Sequence, residues 1–325
     1  MTPLEIRPLE NAGAEVLGCD LGSLTVGDAN QLEAAFGAFG LLVFRDQAIT
    51  TDEFTGAVKL WGAPVPNLSV QGGDTNSIVE VISTVSSLGE SWHAGDSYRE
   101  VPSLGSAVLM RSSSSPHETL FASTSAAFAA LSGPTQRALE GLRAVHEATY
   151  ETGKESNRQR AIHPIVIRHP ISGNETLYVN PAHTIRVEGM AEGPSLELLN
   201  QLFEHGQRDE FIAHLDWEPG SLVIWDSRAF WTLDRHQPLE TPRFERLTIA
   251  GTKLTAAVRQ DPRDLTRVER AGATLAGGII TAAMMGIAEV LEPDRAKPDI
   301  EIVSEAPDRE PLDDDFNFGE LPPLD

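Results

Sequence analysis

The sequence predicts an α+β protein with a β-barrel or β-sandwich core and helices packed on one side of it. Short apolar runs with strand character recur along the chain and dominate its second half. Clear helical spacing is confined to a few segments, such as residues 25–39 and 195–205. Many short strands with few helices between them are typical of a β-rich core.

The elements follow from local signals. Residues 4–17 predict a strand, a turn and a second strand, because apolar residues alternate around Asn11-Ala-Gly. Thr25 and Thr50 each precede a helical pattern with early acidic residues, which is typical of a capped helix start. Further strands are predicted at residues 40–44, 78–84, 106–111, 162–168, 177–180, 220–225 and 247–251, and further helices at 124–131, 135–142 and 195–205.

Composition limits the classes of function. The 325 residues fit one large domain or two small ones, and the net charge of −23 disfavours a nucleic-acid partner, whose phosphates would be repelled. Cys19 is the single cysteine, so no intrachain disulfide is possible, and we expect a cytoplasmic protein. No apolar run reaches the roughly 18 residues of a membrane span, so no membrane partner is expected.

Several stretches along the chain carry a resemblance. They are residues 13–21, 40–47, 91–106, 119–124, 177–186, 219–229 and 246–251. In this order they resemble the taurine dioxygenase (TauD/TfdA) family of iron(II)/2-oxoglutarate-dependent oxygenases. The resemblance implies a double-stranded β-helix, a jelly-roll, cupin-like core with flanking helices.

The resemblance also divides the chain. Residues 1–253 would form the TauD/TfdA-like domain, and residues 254–291 an Ala/Gly-rich helical extension. Residues 292–325 are an acidic, Pro-rich tail, of which we expect residues 308–325 to be extended or disordered, or else a strap docked on this molecule or a partner. Within the extension, residues 271–290 are a candidate contact surface for a homo-oligomer.

The family resemblance implies an iron site made by a His-x-Asp pair and a later His. His93 matches the first His, but Gly95 stands where the Asp is expected and Asp96 comes one position later. Because a shift of one residue in a strand turns a side chain to the opposite face, Asp96 is a ligand only if the chain bulges there.

The later His is expected at the end of Trp-Asp-x-Arg-x-x-x-His, where this chain has Thr232, a poor iron ligand. His236 lies four residues further on and ten before Arg246, so it is a possible replacement or else a surface-loop histidine.

The 2-oxoglutarate contacts are better preserved. By resemblance, Thr119 and Arg246 bind the distal carboxylate of 2-oxoglutarate, and Arg243 is a nearby second candidate. His117 stands in the segment before Thr119, where it is either a new donor or a solvated loop residue. His183 would be structural or line the pocket.

Three functions remain open. The first is an iron(II)/2-oxoglutarate-dependent oxidoreductase that acts on a small-molecule substrate through an atypical metal site. The second is a halogenase-like variant, which Gly95 fits and Thr232 argues against. The third is a non-oxygenase, such as a pseudoenzyme, a subunit supporting a paralogous oxygenase or a re-purposed pocket, because function depends on the site and not on the fold.

Overall fold

The computed structural model describes residues 4–66, 78–82, 91–152, 155–236 and 242–257. Most of the predicted helical extension, including the candidate contact surface, and the whole acidic tail lie outside these residues. Residues 254–257, which were assigned to the extension, are not helical, and Ala256 forms a bridge with Ile167. No helix in the described ranges is long and apolar enough to span a membrane.

The strands are short and numerous, as predicted. Their bounds are β1 (Glu5–Pro8), β2 (Ala14–Leu17), β3 (Leu41–Phe44), β4 (Pro64–Val65), β5 (Val79–Ile82), β6 (Gly105–Ser112), β7 (His117–Ser123), β8 (Arg143–Thr152), β9 (Glu155–Pro164), β10 (Val166–Arg168), β11 (Glu175–Leu177), β12 (Thr184–Val187), β13 (Ile212–Asp216), β14 (Leu222–Asp226), β15 (Phe230–His236) and β16 (Arg243–Ile249). The helices are α1 (Val26–Phe39), α2 (Thr51–Val58), α3 (Thr124–Ala130), α4 (Gly133–Ala138) and α5 (Glu192–Gly206).

Two sheets form the core. The larger has the order β1-β2-β3-β14-β6-β16-β4, with β5 also paired to β16, and the smaller has the order β13-β7-β15. One apolar cluster contains residues of both sheets, so the sheets pack face to face. Its fully buried members include Val108, Met110, Phe121, Val223 and Phe244. The predicted jelly-roll architecture is therefore confirmed.

The helices flank both sheets rather than one side of the core. Leu32 and Phe36 of α1 and Phe54 of α2 pack on the outer face of the large sheet. Capping boxes at Thr25 and Thr50 begin these two helices, as predicted. The outer face of the small sheet is covered by α3 and α5, which belong to the same buried cluster as its residues.

A third sheet, β12-β8-β9, lies beside this core. β8, which begins directly after the helix predicted at residues 135–142, was not predicted from the sequence, and neither were β7, β13 and β15. The last three make up the whole of the smaller core sheet, so the wall that positions the site was not predicted from local signals.

Candidate functional site

The centre of the site is the pairing of β7 with β15. Their antiparallel register places Thr232 opposite Phe121, Asp234 opposite Thr119, and His236 opposite His117. Residues that lie opposite each other share a face of the sheet. Because Phe121 belongs to the cluster between the two sheets, this face is the barrel interior. The apolar residues on the other face, Leu120, Ala122, Trp231 and Leu233, pack outward in the cluster that also contains residues of α3 and α5.

Asp234 is the hub of a buried hydrogen-bond network, here called the Asp234 cluster (Asp234, His117, Thr119 and Trp217). Its Oδ1 accepts a hydrogen bond from Thr119 Oγ1 at 2.7 Å and lies 3.1 Å from His117 Nε2. Trp217 Nε1 donates to Thr119 Oγ1 at 2.8 Å. All four residues are at least 95% buried. A carboxylate inside an apolar core needs such donors, because an unpaired buried charge is strongly unfavourable.

His117 is not the solvated loop residue that was one of its two interpretations. It begins β7, is 2% exposed, and packs edge-on against Phe244 with ring centroids 5.0 Å apart. An ionised carboxylate can only accept, so Nε2 of His117 carries the proton that it shares with Asp234. His117 therefore belongs to the site as a partner of Asp234.

His93 lies beside β15 through an isolated bridge to Thr232, with backbone hydrogen bonds in both directions. Its Nδ1 is 3.3 Å from the carbonyl oxygen of Ser91, and its Nε2 is 3.1 Å from Thr232 Oγ1. The carbonyl can only accept, so Nδ1 carries the proton and Nε2 accepts from the Thr232 hydroxyl. The nitrogen lone pair that would bind a metal is thus directed at Thr232.

The imidazole of His93 is held neutral. Desolvation, together with the nearby His183 and Arg246, lowers its pKa to about 4, against the opposing effect of the Ser91 carbonyl. The charge of Asp234 acts in the opposite direction and raises the pKa of the same ring. Thr232, to which His93 is hydrogen-bonded, and Asp234 share the interior face of β15, and Arg246 lies opposite Val108 of the cluster between the sheets. The resemblance brought His93 and Arg246 together, and Asp234 was not predicted.

Asp96 is engaged within its own loop. Its Oδ1 accepts from the backbone nitrogen and the hydroxyl of Ser103, both at 2.7 Å, and its Oδ2 pairs with Arg99 Nε at 3.0 Å. Gly95 has a φ of +45°, and a Cβ there would lie 3.1 Å from the Ser227 side chain. The backbone is therefore left-handed at the position where the resemblance expects an Asp.

Arg246 lies on β16, opposite Glu80 of β5, and its Nε donates to Glu80 Oε2 at 2.7 Å. It is 9% exposed. Arg243, the second candidate, is exposed and lies 3.7 Å from Glu245. Of the two arginines, only Arg246 faces the buried region that contains His93.

A group of neutral histidines surrounds the site. Desolvation lowers the pKa of His183 to about 4, and lowers those of His146 and His163 as well. The rings of His146 and His163 pack against each other and against Tyr178, and His183 packs edge-on against Tyr98. That His183 lines the pocket stays a prediction.

The turn that leads from β14 into β15 is fixed by a buried ion pair. Asp226 accepts from the backbone nitrogen and Nε of Arg228 at 2.9 Å each, from its Nη2 at 2.6 Å, and from His169 Nε2 at 2.9 Å. Asp226 and Arg228 are both at least 98% buried. This turn sets the start of β15 and hence the positions of Thr232 and Asp234.

A family model described as "Taurine catabolism dioxygenase TauD, TfdA family" matches residues 5–231, more than half of the chain. The chain belongs to this family. The family resemblance of the sequence is thereby confirmed, and with it the oxidoreductase interpretation at the level of the family.

Curated relatives agree with this membership. An alpha-ketoglutarate-dependent dioxygenase of Penicillium expansum, cnsP, is 26% identical over 81% of this chain and 79% of its own. The (S)-phenoxypropionate/alpha-ketoglutarate-dioxygenase of Sphingobium herbicidovorans is 28% identical over 70% of this chain and 88% of its own. A crystal structure of a taurine dioxygenase from Burkholderia xenovorans superposes with a TM-score of 0.70 at 26% identity, covering 80% of this chain and 96% of that one. The relatives are dioxygenases that act on small molecules, and their dependence on alpha-ketoglutarate implies iron(II) and 2-oxoglutarate.

In the sequence, Gly95 and Thr232 stand where the family resemblance expects two of the three iron ligands. Among the described residues, no three His, Cys, Asp or Glu side chains are grouped so that they could hold a metal ion. His236 lies four residues beyond Thr232, roughly 13 Å along an extended strand, whereas His93 lies beside Thr232 itself. A metal bound at His93 needs its other donor atoms about 2 Å from it. The roles of His236 and Asp96 as iron ligands stay predictions.

The residues expected to bind 2-oxoglutarate are present, but each is paired with a carboxylate of the chain itself. Thr119 donates to Asp234, and Arg246 donates to Glu80. Sequence analysis missed Asp234 and Trp217. The signal for Asp234 was its position two residues after Thr232, which places both on the same face of a strand.

Proposed function

We propose that this chain is an oxidoreductase of the iron(II)/2-oxoglutarate dioxygenase type that acts on a small molecule through an atypical centre. The observation that carries the proposal is the position of His93, Thr119 and Arg246. They come from three separate parts of the sequence, and each stands where the family resemblance expects an iron ligand or a 2-oxoglutarate contact. Gly95 and Thr232 replace the other two expected ligands, so any further iron donor comes from His236, from Asp96 after a rearrangement, or from outside the described residues.

In this proposal the chain's own residues bind and orient. The positive charge of Arg246 and the hydroxyl of Thr119 would hold an anionic co-substrate, because carboxylates bind best to charged and hydroxyl donors. Neutral His93 has its Nδ1 proton fixed by Ser91, which leaves Nε2 as the atom for a metal. Iron, when bound, would supply oxygen activation. The apolar cluster between the sheets would keep water out.

The proposal predicts an optical signal. When the protein is purified anaerobically and mixed with iron(II) and 2-oxoglutarate, we expect the weak visible charge-transfer band of an iron–2-oxoglutarate chelate. The band reports binding directly, whether or not the prime substrate is known. No band at saturating iron(II), together with no conversion of 2-oxoglutarate to succinate in air, would refute the oxygenase proposal.

The second candidate is a non-oxygenase that binds a small molecule or supports a paralogous oxygenase. The observation that favours it is the internal pairing of Thr119 with Asp234 and of Arg246 with Glu80. These contacts satisfy, within the protein, donors that would otherwise face a co-substrate.

Restoring the missing histidine should strengthen metal binding. Thr232→His places a second imidazole on the bridge partner of His93, so we expect at least about tenfold tighter binding of Co(II) or iron(II), measured by titration.

Leu233→His is the matched control for Thr232→His. It adds the same side chain one residue along β15, on the opposite face of the strand. Equal metal affinity for the Thr232→His and Leu233→His variants would show that His93 is not at a metal position.

A further inference from the structure

The cross-strand partner of Thr119 is an acid. Asp234 lies opposite Thr119 in the β7–β15 register, and the two side chains meet at 2.7 Å in the barrel interior. The contact therefore follows from the strand pairing and does not depend on a flexible loop.

The hydroxyl of Thr119 has one proton and two lone pairs to offer. Its proton goes to Asp234, and one lone pair accepts the N–H of Trp217 at 2.8 Å. Thr119 therefore has no proton to donate to a second carboxylate while the contact with Asp234 persists.

The negative charge of Asp234 also disfavours a second carboxylate at Thr119. A ligand carboxylate at Thr119 would lie against the Asp234 carboxylate, in a region at least 95% buried where solvent screens poorly. His117 Nε2, 3.1 Å from the same oxygen, holds Asp234 in this place.

We propose that the Asp234 side chain occupies the subsite in which Thr119 would bind the distal carboxylate of a 2-oxo dicarboxylic acid. The internal carboxylate competes with that ligand, which binds only after Asp234 has been displaced. The inference rests on the proposed function for the class of the ligand, and it describes how the same pocket is kept closed.

The test compares two ligands that differ in one group. 2-Oxoglutarate has the distal carboxylate, and 2-oxobutyrate lacks it. Asp234→Ala removes the competing charge, so we expect it to bind 2-oxoglutarate on the order of 100-fold more tightly than wild type does. The affinity for 2-oxobutyrate should change little. Binding is measured by calorimetry with Mn(II) present and again without it.

Asp234→Asn keeps the size of the side chain and removes its charge, so it replaces Asp234→Ala in the test if the alanine variant is unstable. Asp216→Ala is the matched control, because Asp216 is an exposed acid on the neighbouring strand β13. Circular dichroism establishes that each variant is folded.

Each outcome decides the question. A gain for 2-oxoglutarate alone supports the inference. Equal gains for both ligands would mean that the substitution only opens space, and no gain in either folded Asp234 variant would mean that Asp234 does not close the subsite. If a variant binds 2-oxoglutarate more tightly but forms no succinate with iron(II), the oxygenase proposal is refuted. The inference about Asp234 is still supported by that result.

Discussion

Lowering the pH from 7 to 5 should destabilise this protein by several kcal/mol. His93 and His183 each have a pKa of about 4 in the folded chain, mainly because they are desolvated. An unfolded histidine titrates near 6.5, so the unfolded chain binds more protons over this interval. Each of the two histidines then costs about 2 kcal/mol between pH 7 and pH 5. Urea unfolding at a series of pH values measures this loss.

The sign follows from the direction of the shift. A histidine whose pKa is lowered by folding contributes full stability above about pH 6.5, and this contribution falls as the pH drops from 6.5 towards 4. His146 and His163 are shifted in the same direction and add to the slope.

His183→Gln should flatten the pH dependence by removing one of the titrating groups. His214→Gln is its control, because the His214 side chain is 56% exposed on β13. If His183→Gln keeps the wild-type slope, the buried histidines are not its cause.

Arg228→Ala should cost about 3–5 kcal/mol of the free energy of unfolding, measured by chemical denaturation. The substitution removes two of the four donors to the Asp226 carboxylate, Nε and Nη2 of Arg228, and leaves a buried carboxylate without its counter-charge. Burial by itself raises the pKa of Asp226, but hydrogen bonds from Arg228 and His169 outweigh it and hold the pKa below its ordinary value. Without Arg228 the carboxylate must be protonated or the turn must open.

Arg208→Ala provides the comparison. Arg208 pairs with Glu210 at 3.0 Å, but both side chains are 44% exposed, and such pairs contribute about 0–1 kcal/mol. Equal losses for Arg228→Ala and Arg208→Ala would show that the Asp226 turn does not hold the barrel together.

The helices that begin at Thr25 and Thr50 were predictable because their signals are local. A capping residue, an acid three positions later and apolar spacing all lie within one turn of each other. The family motifs similarly predicted the jelly-roll and brought His93, Thr119 and Arg246 together, because each motif is a contiguous run.

The Asp234 cluster was not predictable in this way. β15 contains Asp234, Arg235 and His236, so its polar residues conceal the alternation that identifies a strand. His117 was open to interpretation as a loop residue for the same reason, because β7 exists only through its pairing with β13 and β15. Contacts between strands distant in sequence depend on register, which composition and spacing do not specify.

The pleat of β7 and β15 separates the residues that anchor these strands from those that could react. Leu120, Ala122 and Trp231 face the helices and join the strands to the apolar cluster there. Thr119, Asp234 and their neighbours face the other way. Substitution of Thr119 or Asp234 thus leaves the contacts between these strands and the helices unchanged. The architecture can accordingly lose one chemistry and acquire another through a few point changes, so relatives with closely similar backbones need not share a reaction.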